Sequence, residues 1–265
     1  MTSQIITAAG VLLTAGSANA AFFSFASDEA SNDWTFQYVP PTTSGLPGTI
    51  LDGSRGSPPR DLPLNLLIDD DNGVLPTIEL ESRFQAEFAV EHVASVDLTP
   101  ALGYWSHLYS VSGSFSFRLV DGGPDLLMVE VENALLTAAG GEFSWDSAGA
   151  IIGSDGTASV TYTATQGLID AVGGEDTAAQ YGLAVGSSEP GADFGFDLTV
   201  INEFGDRPLP AGLELGAELD PQTLLPIARW FSEGSFSGSA TIIPAPGSVV
   251  LLAMGGVAAA RRRRG

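Results

Sequence analysis

Hydrophobic and polar residues alternate along much of the chain between residues 21 and 243. The clearest run spans 78–92. Ile78, Leu80, Phe84, Ala86, Phe88 and Val90 share one parity; Glu79, Glu81, Arg83, Gln85, Glu87 and Glu91 share the other. Successive side chains of a strand point to opposite faces, so this pattern predicts a strand with one face in a core and one in water. A helix could align Leu80, Phe84 and Phe88, but it would turn Ala86 and Val90 to the wrong side.

The same period recurs. Phe115, Phe117 and Leu119 alternate with Ser114, Ser116 and Arg118. After the turn Asp121-Gly122-Gly123-Pro124-Asp125, Leu127, Val129 and Val131 alternate with Met128, Glu130 and Glu132. Two strands flanking a Gly-Gly turn predict a hairpin. Ala158 to Ala164, Phe194 to Val200 and Phe236 to Ile242 read as further strands, as do Phe22–Ala26, Trp34–Val39 and Leu64–Ile68. Pro40 to Pro63, in which ten of 24 residues are Pro or Gly, reads as a long exposed loop. Leu168–Val185 and Leu209–Ile227 lack the period and read as short helices or loop excursions. Many alternating strands with polar, Gly-rich turns predict an all-β body, an antiparallel jelly-roll-like β-sandwich.

The two ends depart from this pattern. Ile5 to Ala15 is an apolar run followed by Ala18-Asn19-Ala20, an A-x-A site, which predicts a signal peptide over 1–20 and a mature start at Ala21. The n-region, Met1 to Gln4, carries no Lys or Arg, and the alternative is an apolar first strand. At the other end, Pro244-Ala245-Pro246 precedes 14 residues free of charge, Gly247 to Ala260, and then Arg261, Arg262, Arg263 and Arg264. As a helix the apolar run is roughly 21 Å long, short of the ~30 Å hydrocarbon core, which suits transient membrane residence. The arginines hold the end on the cytoplasmic side. A core element is the alternative, and four adjacent cations argue against burial.

On residues 244–265 the chain resembles the PEP-CTERM sorting signal, a Pro-Glu-Pro-like motif, a hydrophobic span and an Arg-rich terminus. It departs in having Ala245 as the middle residue. The resemblance implies an exosortase-like processing enzyme, a membrane transpeptidase-like cysteine enzyme that cuts near Pro244–Pro246. It also implies the export machinery, passing contact with the inner membrane, and delivery to the cell surface or an extracellular polysaccharide matrix. Three segments follow: signal peptide 1–20, extracellular β domain 21–243 and sorting tail 244–265.

Charge narrows the function classes. Of ten basic residues, all arginine, four lie in the tail, leaving six against 32 acids, a body charge of −26. Such a surface repels nucleic acid and anionic membranes. Without lysine there is no P-loop lysine and no Schiff base. Without cysteine there is no disulfide staple and no thiolate chemistry, so the core must suffice by itself.

Candidate chemistry is thin. Asp69-Asp70-Asp71-Asn72-Gly73 superficially resembles a calcium loop, but the Gly comes one residue early, and a hairpin turn is the simpler reading. Asp69, Asp71, Asp121 and Asp125 are the candidate Ca²⁺ ligands, with Asp193 and Asp197 weaker ones; no other cofactor is expected. Glu79, Glu81, Glu87 and Glu91 line one strand face, at ~6.5–7 Å spacing that inverting glycosidases use; a solvated polar face looks the same. His92, Ser95 and Asp97 contain the residue types of a triad, but residues three apart on a strand point to opposite faces. His92 and His107, the only histidines, are therefore expected to be structural or surface residues. Gly234-Ser235-Phe236-Ser237-Gly238 has Phe where a nucleophile elbow needs Ser. Trp105, beside Tyr104 and Tyr109, and Trp145 are candidate sugar platforms, against core packing. The expectation is a non-enzymatic, exported surface or matrix protein; the alternative is a carbohydrate-binding or glycan-cleaving jelly roll.

Overall fold

A computed structural model describes residues 20–26, 34–43, 45–53, 62–70, 72–120, 122–146, 148–152, 158–202 and 216–244. The predicted signal peptide through Asn19 and the tail beyond Pro244 lie outside them. Among the described residues no helix is long and apolar enough to cross a membrane.

The body is all-β and antiparallel. Its strands are β1 (Ala21–Ala26), β2 (Phe36–Val39), β3 (Gly48–Asp52), β4 (Leu62–Asp70), β5 (Ile78–Asp97), β6 (Trp105–Leu119), β7 (Asp125–Gly140), β8 (Ser144–Trp145), β9 (Ala148–Ile152), β10 (Ser159–Ala164), β11 (Gly186–Ser188), β12 (Asp193–Asn202), β13 (Ala217–Glu218), β14 (Trp230–Ala240) and β15 (Ile242–Pro244). α1 (Thr99–Leu102) closes the β5–β6 hairpin. α2 (Gln166–Ala171) and α3 (Glu175–Gln180) fill the stretch where the period lapses. Thr165 caps α2, its hydroxyl accepting the Leu168 N–H.

β3 corrects the reading of 40–63 as one loop. Thr49-Ile50-Leu51 is too short to show a period between Pro47-Gly48 and Gly53, yet Ile50 is fully buried and β3 pairs with both β2 and β5. β5 runs five residues past His92, and its even-numbered side chains from Ser82 to Val90 are buried as predicted.

The pairings return on themselves. β5, β6, β7, β9, β12, β14, β2 and β3 form a circuit that ends on β5 again. A second path returns from β14 through β1 and β4. Closure satisfies strand edges that an open sheet would expose. The arrangement is sandwich-like within one sheet, with β5–β7 on one wall facing β1, β12 and β14. Phe115 of β6 meets Phe236 of β14 edge-on at 4.9 Å, Phe88 of β5 meets Phe196 of β12 at 6.0 Å, and Phe25 of β1 meets Phe84 of β5 at 5.0 Å. Such pairs add ~0.5–1.5 kcal/mol each beyond the area they bury.

Two irregularities interrupt the long wall. On β5, His92 pairs with Tyr109 and Ala94 with Leu108, so Val93 is an extra residue. On β7, Glu132 and Asn133 together oppose Ser112, with Asn133 at φ 57° and its N–H held by the Ser112 hydroxyl. Each is a β-bulge, and each reverses which parity faces inward. Along β7 the buried side chains change from Leu127, Val129 and Val131 to Ala134, Leu136 and Ala138.

Phe236 touches rings from both walls, including Phe25, Phe115 and Phe196. Phe236→Ala is expected to cost ~3–5 kcal/mol in denaturant unfolding. A loss below about 1 kcal/mol would show that the walls do not depend on this contact.

Candidate functional site

The bulge at Val93 overturns the argument that kept His92 and Ser95 apart. With one residue added, side chains three apart share a face, and both turn inward. Ser95 sits directly across from His107 on β6. The two histidines thus converge on one hydroxyl: His92 Nε2 lies 2.9 Å and His107 Nδ1 2.8 Å from Ser95 Oγ. His107 is fully buried, and its Nε2 lies 2.8 Å from the carbonyl of Gly141 at the end of β7.

Hydrogen-bond bookkeeping orders the protons. A carbonyl only accepts, so His107 Nε2 carries its hydrogen, and in the neutral ring Nδ1 must then accept. Ser95 therefore donates to His107, while the backbone of Ala94 and Ser95 Oγ compete for the single N–H of the neutral His92 ring. Burial, and then the nearby His107, hold His92 below the ordinary histidine range, which favours its neutral form. Asp97 takes no part. Its carboxylate accepts from the backbone N–H (2.9 Å) and hydroxyl (2.5 Å) of Thr99 at the exposed entry to α1, and these bonds lower its pKa.

An aromatic group backs this cluster. His92 lies edge-on to Tyr109 at 5.5 Å. Tyr109 donates to the Leu224 carbonyl (2.8 Å) and accepts from the Trp145 indole N–H (2.7 Å). Burial raises the Tyr109 phenol well above its ordinary range, so it stays a neutral donor. Trp145 is 1% exposed and offers no face to a sugar, which corrects its reading as a platform. Trp105 is half-buried at the end of β6.

The acidic turn uses its carboxylates locally. Asp69 Oδ1 accepts the Thr77 hydroxyl at 2.5 Å; Asp70 accepts the N–H of Asn72 (3.3 Å) and of Leu75 (2.9 Å). This is a turn that satisfies its own backbone. Asp71 and Asp121 lie outside the described residues. Asp125 is exposed at the start of β7, and among the described residues no three acidic or His side chains group as a metal site.

Glu79, Glu81, Glu87 and Glu91 are exposed on the outer face of β5. Only Glu87 borders the outer groove of about 670 Å³, with Thr49, Gln85, Ser114, Ser116 and Arg229 among its lining. Of the sorting and signal residues, Pro244 ends β15 and is exposed, Ala20 is half-buried, and Ala21 is fully buried as the first residue of β1. Ala18, Ala245, Pro246 and Arg261 to Arg264 lie outside the described residues.

Compared with family models, curated proteins and solved structures, the chain matches none.

The Asp70 carboxylate is held below its ordinary pKa chiefly by the Leu75 N–H. A depressed folded-state pKa contributes stability above the unfolded value that is lost as pH falls through the folded one. Asp70→Asn is therefore expected to lower the melting temperature at pH 7 and to close the gap to wild type below about pH 4. A gap that stays constant from pH 7 to pH 3 would rule out a role for this charge.

Proposed function

We propose that the protein is an exported, surface- or matrix-associated protein whose principal role is non-enzymatic. It is sorted through a C-terminal exosortase-type signal and associates with extracellular polysaccharide. The observation that carries this reading is the order of the tail, Pro244-Ala245-Pro246, an apolar span, then Arg261 to Arg264. In this reading a signal peptide directs export, the span pauses in the inner membrane as a helix, and the catalytic machinery belongs to the processing enzyme. The −26 body suits a solvated extracellular surface and disfavours nucleic acid as a partner.

The strand boundaries support the reading. β1 opens at Ala21, paired on one edge with Ala240 and on the other with Asp70. β15 pairs Pro244 with Gly186. A cut before Ala21 therefore takes no described residue out of the ladder. The cysteine-free core needs no oxidation step after export.

A second reading is a jelly-roll-like carbohydrate-binding body. The outer groove favours it, since its serine and threonine hydroxyls, Gln85, Glu87 and Arg229 offer hydrogen bonds that sugar hydroxyls accept and donate. A glycan array tests binding, and a reducing-sugar assay with Glu87→Gln tests cleavage in the groove.

Intact-mass measurement of the protein from its native host tests the first reading. The expected product runs from Ala21 to near Pro246. A product retaining Arg261 to Arg264 would refute transient anchoring.

A further inference from the structure

Ser95 has the surroundings of an activated nucleophile. A serine hydroxyl attacks a carbonyl carbon only when a base takes its proton, and the base works best when a third group fixes its ring. Here the base is His107 Nδ1, 2.8 Å from Oγ, and the third group is the Gly141 carbonyl, 2.8 Å from Nε2. The ring is fully buried, so its tautomer is set by that carbonyl rather than by water. The nucleophile itself is half-buried near the end of β5. His92 Nε2 lies 2.9 Å from Oγ on the other side and helps to hold the hydroxyl in place.

We propose that Ser95 is an acyl-accepting nucleophile that takes the acyl group of a small carboxylic ester. Oγ bonds to the ester carbonyl carbon as its proton passes to His107 Nδ1. The tetrahedral adduct then breaks the bond to the leaving oxygen, which takes up the proton that His107 received from Ser95. The products are an acyl-serine and a free alcohol, and water can release the acid by the reverse sequence. No metal, thiol or redox partner takes part. The proposal goes beyond the sorting reading and holds whether or not the tail is cut.

The test treats the full chain with p-nitrophenyl acetate, monitors p-nitrophenol release, and maps the acetyl group by peptide mass spectrometry. The absence of lysine and cysteine keeps background acylation low. The expected result is a burst of up to one equivalent, with acetyl on Ser95. Ser95→Ala abolishes the burst. His107→Gln, whose amide can still donate to Gly141, slows it about 100-fold while near-UV circular dichroism is retained. The wild-type peptide map needs no variant to fold. Acetyl absent from Ser95, or release unchanged in a folded Ser95→Ala protein, overturns the proposal.

Discussion

β6 is hydrogen-bonded along both of its edges, and this pins β5 and β7 to a single frame. A strand held on one side can slip by two residues; one held on both sides cannot slip without breaking both ladders. The two bulges are where the neighbours absorb an extra residue without moving β6. Val93 does so on β5, and the Glu132–Asn133 pair does so on β7. Beyond them the inner face changes parity on both flanks of β6. There β5 turns Ser95 inward and β7 turns in Ala134, Leu136 and Ala138, while His92 and His107 keep the inward parity of the regular strands.

The two ends of the body are consequently different in chemistry. Where the period is regular, the interior is aromatic, with Phe25, Phe84, Phe115, Phe196 and Phe236 in mutual contact across the walls. Past the bulges Ala134, Leu136 and Ala138 of β7 are joined by two hydrogen-bonded pairs, Ser95–His107 and Tyr109–Trp145, each also tied to a backbone carbonyl. Buried polar groups are costly unless partnered, and each of these has a partner. The aromatic half supplies the hydrophobic stabilisation that a chain without disulfides requires. The half with these pairs has a defined arrangement of donors and acceptors, which a purely apolar core would lack.

The outer surface follows a simpler rule. Its carboxylates are spread along strand faces and turns, and the turn carboxylates of Asp70, Asp97 and Asp220 bond to backbone N–H groups nearby. Those bonds hold Asp70 and Asp220 below the ordinary aspartate pKa, and the Thr99 hydroxyl, then the Thr99 N–H, does so for Asp97. Acidic turns in this protein therefore serve first as backbone caps. The high net charge keeps the body solvated, and the outer groove beside Glu87 and Arg229 is lined by Thr49, Gln85, Ser114 and Ser116 as well.

Alternation is a local property, since a strand with one wet face must write its period into its own sequence. The inner faces of β5 up to Val90, of β6 at Phe115 and Phe117, and of β10, β12 and β14 are therefore readable from residue order alone. So are the charge of the body, the chemistry barred by lacking lysine and cysteine, and the tail pattern. The bulges are not local. Val93 becomes an extra residue only because Tyr109 and Leu108 claim His92 and Ala94 as partners. The short β3 exists because β2 and β5 pair with it, and Trp145 is buried because Tyr109 and Trp230 close over it. The one hint in the sequence was two histidines flanking the Pro100–Gly103 turn, with alternation failing after Glu91. Bringing His92, Ser95 and His107 to hydrogen-bond distance took the cross-strand register, which tertiary structure alone decided.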